Sequence, residues 1–161
     1  YLSGMKEFML NPKEYSNTGN REIDGVLNYM LQKANRTLNQ VDVQINIPED
    51  LYLNNFNICV ILGNLVDNAV REASKSEEKQ LTIKMQIKQE LLLIFIENSY
   101  SGKILEKKNG LQTTQTELAI HGIGLENVQK VVIENGGEIK IDYPCNTFCV
   151  QVLLYMSRIK N

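Results

Sequence analysis

The stretch Ile58-Cys-Val-Ile-Leu-Gly-Asn-Leu-Val-Asp-Asn-Ala-Val-Arg-Glu-Ala-Ser74 constrains this chain more than any other. Its apolar residues recur at helical spacing, which predicts a core helix over roughly residues 54–75. Two carboxamides, Asn64 and Asn68, interrupt the apolar surface. Side chains at i and i+4 share one helix face, so both amides point the same way. A buried amide without a partner costs about 1–3 kcal/mol. Such a stripe calls for protein partners or for a ligand, and spacing alone leaves both readings open.

A second polar interruption lies downstream. His121-Gly-Ile-Gly-Leu-Glu-Asn-Val128 is a glycine loop running straight into an apolar helix. Glycines let backbone N–H groups approach phosphate oxygens, and a helix N-terminus adds a favourable dipole. Neither G-x-x-x-x-G-K-[ST] nor G-x-G-x-x-G after a strand is present. Amides that can hold a metal and glycines that can wrap phosphates together suggest a nucleotide site. An amide oxygen is a hard, neutral ligand suited to magnesium held mainly by phosphates and waters. Arg71, three residues past Asn68, can reach phosphate from the same helix. His121 is read as a turn residue touching phosphate or backbone rather than as a general base. Asn98 ends an apolar strand and opens a long polar segment hinged at Gly102; it can read a base edge or simply form a turn.

The remaining chain predicts the frame. Ile23, Val26, Leu27, Met30, Leu31, Ala34 and Leu38 repeat at helical spacing. Val41 to Ile47 alternates as a strand that stops at Pro48. Leu81 to Ile87 and Leu91 to Ile96 read as two strands turning at Gln89-Glu90. A helix from about Leu125 to Asn135 ends at Gly136-Gly137, and strands over 138–143 and 147–155 follow. Residues 99–121 lack periodicity, as a lid would. Residues 1–10 read as the end of a helix and Asn11 to Asn20 as a linker punctuated by Pro12 and Gly19. The expected class is α+β: one mixed, mostly antiparallel sheet with helices on one face.

With 161 residues the chain can build one domain. Its net charge of −2 does not favour nucleic acid or an anionic membrane. The longest apolar run, Leu91 to Ile96, is too short to span a bilayer. Cys59, Cys145 and Cys149 form no C-x-x-C pair, which fits a reducing compartment. A single histidine argues against zinc.

These residues carry a resemblance. Asn64-Leu-Val-Asp-Asn68-Ala resembles the N box of the ATP-binding domain of sensor histidine kinases, in the Bergerat-fold (GHKL) superfamily. Gly122-Ile-Gly-Leu125 resembles the superfamily's second glycine box. Asp67 and the phrase His121 to Val128 resemble the peptide-pheromone-sensing Agr and competence kinases of quorum sensing. Thr18-Gly-Asn-Arg-Glu-Ile-Asp24 is similar to the stretch where that subfamily's dimerisation helices hand over to the ATP-binding domain.

The resemblance implies a two-layer Bergerat fold over residues 20–161, preceded by the end of a dimerisation helix and a linker at residues 1–19. ATP and magnesium are the implied cofactors. Asn68 is the implied metal ligand, and Asn64 the implied catalytic residue. Asn64, Asn68, Arg71, Asn98, Gly102, His121, Gly122, Ile123, Gly124 and Leu125 are the implied nucleotide contacts. The implied partners are the protein's own dimerisation and phosphoacceptor domain and, through it, a response regulator, with no nucleic acid and no membrane contact by this segment. The implied setting is a cytoplasmic domain of a membrane-anchored parent.

Two departures stand out. The first glycine box normally opens with an Asp that accepts from the adenine amino group; Asn98-Ser-Tyr-Ser-Gly102 stands there instead. The phosphoacceptor motif is missing, so the chain is not expected to phosphorylate itself. GHKL hydrolases use a Glu at the position of Asn64 to activate water, and an amide cannot take that proton. A serine kinase of the anti-sigma type and a nucleotide-free interaction module of the same fold are the competing readings.

Overall fold

The computed structural model describes residues 15–101 and 123–156. Three helices and five strands follow in the order α1 (Arg21–Thr37), β1 (Gln40–Asn46), α2 (Asn55–Lys75), β2 (Gln80–Lys88), β3 (Leu91–Ser99), α3 (Ile123–Glu134), β4 (Glu138–Asp142) and β5 (Thr147–Tyr155). The strands form one sheet in the order β1-β2-β3-β5-β4. Only β1 and β2 run parallel; every other neighbouring pair is antiparallel. The expected α+β class, with a mixed and mostly antiparallel sheet, is what the structure shows.

All three helices pack on one face of this sheet. Along β3 the residues Leu92, Ile94, Ile96 and Asn98 are buried, while the alternating Leu91, Leu93, Phe95 and Glu97 are only half-buried. The same alternation in β5 buries Phe148, Val150, Val152 and Leu154. Period-two patterning therefore aims one set of side chains at the helices and leaves the other on the outer face. On that outer face the Lys84 ammonium lies 5.9 Å from the centre of the Phe95 ring.

The asparagine helix α2 is the centre of the helical layer, flanked by α1 and α3 and resting on β2 and β3. Ile58, Ile61, Leu62, Leu65, Val66, Ala69 and Ala73 form its buried stripe. Truncating a fully buried leucine such as Leu62 to alanine would cost about 2–5 kcal/mol. The Asn54 side chain caps the helix by accepting from the Phe56 and Asn57 backbone N–H groups. Asn20 caps α1 in the same way, accepting from Ile23 N–H.

Ends and turns follow the sequence expectations closely. The turn at Gln89-Glu90 places Gln89 in the left-handed region at φ 58°. Helix α3 closes on Gly136 at φ 69°, a conformation that favours glycine. The expected helical end at residues 1–10, and residues 102–121 of the expected lid, lie outside the described residues.

Residues 15–20, part of the predicted linker, take one definite form against α1. Both oxygens of Asp24 accept from Thr18 N–H, at 3.1 and 3.0 Å. Ser16 Oγ donates at 2.6 Å, Thr18 Oγ1 at 2.9 Å and Gly19 N–H at 3.1 Å to the same carboxylate. One turn later, Asn28 Oδ1 accepts from Tyr15 and Ser16 N–H and its Nδ2 donates to Ser16 O, all at 2.8 Å. Gly19 sits at φ 88°, and a Cβ there would press on Glu49 at 3.2 Å. Asn20 Nδ2 then reaches Asn55 Oδ1 at 3.1 Å, tying this clasp to the first turn of α2. Burial alone would raise the Asp24 carboxyl, but hydrogen bonds from Ser16, Thr18 and Gly19 outweigh it and hold it below the usual value.

Candidate functional site

Helix α2 and strand β3 position the polar groups that matter. Asn68 is 8% exposed although it is polar. Among the described residues its side chain has no hydrogen-bond partner. The stripe of Ala69 and Ala73 beside it is small, which lets α2 lie close to the sheet. Asn64, one turn earlier, is half-buried, and its Nδ2 donates to Val60 O at 2.8 Å. That bond fixes the Asn64 amide and leaves Oδ1 without a partner among the described residues.

Asn98 is 2% exposed and lies on the helix-facing side of β3. Its Nδ2 donates to Ser99 O at 2.8 Å. The amide is thereby oriented, with its oxygen directed away from that bond. Nearby, Tyr100 and Phe148 are both buried, with ring centres 5.7 Å apart. Phe148 is the β5 residue paired with Asn98.

Behind Asn98 runs a buried hydroxyl pair that the sequence reading did not anticipate. Ser76 caps the C-terminus of α2, and its Oγ donates to Ala73 O at 2.7 Å. A serine hydroxyl has one proton. With that proton on Ala73 O, the 2.6 Å bond between Ser76 Oγ and Ser99 Oγ is donated by Ser99. Ser99 Oγ in turn accepts from Gln80 N–H at 2.9 Å, and Ser76 Oγ from Lys79 N–H at 3.1 Å. The chain of donors joins the last turn of α2, the start of β2 and the end of β3. Both serines are nearly fully buried, at 3% and 4% exposure.

The other predicted residues divide into three groups. Arg71 is exposed and forms an ion pair with Asp67, the neighbour that precedes Asn68. Such an exposed pair contributes at most about 1 kcal/mol, so Arg71 can be drawn away from it at small cost. Ile123 and Gly124 form the first residues of α3, so the glycine phrase does open a helix as expected. Leu125 is 1% exposed and belongs to the core, anchoring that helix start. Gly102, His121 and Gly122 lie outside the described residues. Among the described residues no cluster of His, Cys, Asp and Glu can hold a metal.

The fold has a counterpart in known proteins. A family model described as the GHKL domain matches residues 53–155, well over half of the chain. The chain belongs to the GHKL domain family. The matched span of this GHKL domain begins just before α2 and ends with β5, so it contains Asn64, Asn68 and Asn98. Its fold is shared with solved histidine kinases. The histidine kinase AdeS of Acinetobacter baumannii superposes with a TM-score of 0.64 at 18% identity, over 98% of this chain and 74% of that one. The catalytic domain of the histidine kinase ThkA gives a TM-score of 0.67 at 17% identity, over 87% of this chain and 93% of that domain. A mycobacterial sensor histidine kinase, MprB, gives 0.57 at 17% identity, over 83% and 95%. The comparison with curated protein sequences finds no match. Among the described residues, no helix of this GHKL domain is long and apolar enough to cross a membrane.

Proposed function

We propose that this GHKL domain is the ATP-binding catalytic domain of a sensor histidine kinase. It would present the terminal phosphate of ATP to a histidine on an adjacent dimerisation domain. The observation that carries this reading is the pair of buried amides, Asn68 and Asn98, on the helix and strand that pack together, each with acceptor capacity that no described residue uses. An acceptor left open at the edge of an apolar core is available to a ligand's donor.

The donor set fits magnesium-bound ATP. Asn68 offers a neutral oxygen to the metal, Asn64 an amide to the phosphate end of the nucleotide, Asn98 an acceptor to the base, and the start of α3 backbone N–H groups to phosphate. The bound metal would neutralise charge on the phosphates. The work of the protein is then positioning. Asn64, held by Val60 O, keeps its oxygen in place; it cannot remove a proton, which disfavours hydrolysis by water. Transfer to a histidine needs no protein base, because imidazole is itself a good nucleophile.

The phrase from His121 to Val128 and Asp67 before Asn68 support a closer assignment to the pheromone-sensing Agr and competence kinases, and hence to quorum sensing. On this reading the partners are the dimerisation domain and a response regulator, and the parent protein is anchored in a membrane with this domain on the cytoplasmic side. Residues 1–19 belong to the handover segment, residues 20–161 to the catalytic domain.

The test is phosphotransfer in trans. Incubated with radiolabelled ATP and magnesium, the 161-residue chain should not label itself. It should label a separate dimerisation fragment that carries the acceptor histidine. Acid-labile self-labelling, or labelling of serine in place of histidine, would overturn the proposal.

A further inference from the structure

Asparagine at position 98 raises a problem that aspartate would not. A carboxylate can only accept, so it selects the amino group of adenine. A carboxamide has two faces: its oxygen accepts from an amino group, and its NH2 donates to a carbonyl such as that of guanine. An asparagine base reader is selective only if something holds its amide one way round.

The Asn98 amide is tied into a run of hydrogen bonds. Asn98 Nδ2 donates to Ser99 O, so the orientation of the amide depends on where the Ser99 peptide lies. The Ser99 peptide is held on one side by the sheet, where Ser99 pairs with Thr147 and Tyr100 N–H donates to Asn146 O at 2.7 Å, and on the other by the Ser99 side chain, which accepts from Gln80 N–H and donates to Ser76 Oγ. Ser76 is locked by its own bonds to Ala73 O and Lys79 N–H. Lys79 has a left-handed φ of 51°, a turn that the Ser76 bond helps to hold. Every hydroxyl proton in the chain has one short acceptor. The alternative acceptor for Ser99, Gln80 O, is 3.4 Å away and so much the weaker.

We propose that the Ser76–Ser99 hydroxyl pair is a specificity device: it positions the Asn98 amide so that the domain presents an acceptor, and therefore prefers ATP over GTP. Ser99 and Ser76 are positioning residues that act through Asn98. The inference rests on the reading of this chain as an ATP-binding domain.

The experiment is calorimetric titration of Mg-ATP and Mg-GTP into the whole chain, with a thermal melt of every variant. The parent should prefer ATP. Ser99→Ala and Ser76→Ala should each lower the ATP-to-GTP affinity ratio about fivefold or more, the lower bound expected for mispairing one buried polar group. Ser99→Thr keeps the hydroxyl and should restore the ratio. The decisive comparison is made in an Asn98→Asp background. A carboxylate has no donor face to expose, so adding Ser99→Ala there should leave the ratio unchanged. If Ser99→Ala lowers the ratio equally in both backgrounds, the serines only support the fold and the proposal fails. It fails equally if Ser99→Ala and Ser76→Ala leave the parent's ratio intact. Failure of the underlying reading is distinct: the parent then binds neither nucleotide, or Asn98→Leu binds ATP as tightly as the parent.

Discussion

The clasp at residues 15–28 and the amide stripe of Asn64, Asn68 and Asn98 use the same chemistry for opposite ends. Both depend on short polar side chains against apolar helices. In the clasp, Asp24 and Asn28 meet partners in Tyr15, Ser16, Thr18 and Gly19. In the stripe, the acceptors of Asn68 and Asn98 meet none among the described residues. A polar group that is satisfied by its own chain stabilises the chain. One whose acceptor meets no partner in the chain stays open to a ligand.

That contrast can be broken most forcefully at the clasp. The double variant Asp24→Ala, Asn28→Ala removes acceptors from several backbone N–H groups. A stability loss of about 3 kcal/mol is expected in urea unfolding, with Mg-ATP affinity unchanged. A large loss of ATP affinity in a folded double variant would make the clasp part of the site. Next in size is Asn98→Leu. Its effect should be the mirror image, with ATP affinity falling about 5- to 150-fold, or about 1–3 kcal/mol, and folding stability no lower than the parent's. Asn68→Ala should follow the same pattern at about tenfold weaker Mg-ATP binding, read by calorimetry. Alanine is a good helix former, so the melting temperature should hold or rise.

The smallest effect is a pH dependence that only the clasp should show. Because the folded Asp24 carboxyl titrates below its usual value, its contribution is present above the unfolded carboxyl's pKa. It is lost as pH falls through the lower, folded value. The stability gap between the parent and Asp24→Asn should therefore be constant near neutrality and shrink below about pH 4. A gap that shrinks instead between pH 6 and 8 would assign it to another group.

Most of the frame was legible because it is local. The helix over 54–75 emerged as Asn55–Lys75, and the strand expected over 147–155 as Thr147–Tyr155. Periodicity and glycine stops act over a few residues, so they can be read in order. The parallel pairing of β1 with β2 was not legible, since register between distant strands leaves no local mark. At the site, the asparagine spacing announced itself because an amide in an apolar stripe is costly. Ser76 and Ser99 did not, because isolated serines resemble ordinary caps and strand ends until the fold brings their hydroxyls together. The clasp lay between these cases. Thr18 to Asp24 stood out as a phrase, but the partnership of Asp24 and Asn28 with the chain ahead of them depends on how that chain folds back.

That folding back has a mechanical side. A loose tether absorbs torque; a segment pinned to two successive turns of a helix does not. Any twist or pull applied at Tyr15 reaches α1 through Asp24 and Asn28, and reaches the first turn of α2 through Asn20 and Asn55, with no slack between. Residues 15–20 are therefore expected to act as a stiff shaft rather than a string. A spin label at Asn17, which is exposed, would report the slow tumbling of the whole domain, and in the Asp24→Ala, Asn28→Ala variant the fast wobble of a free end.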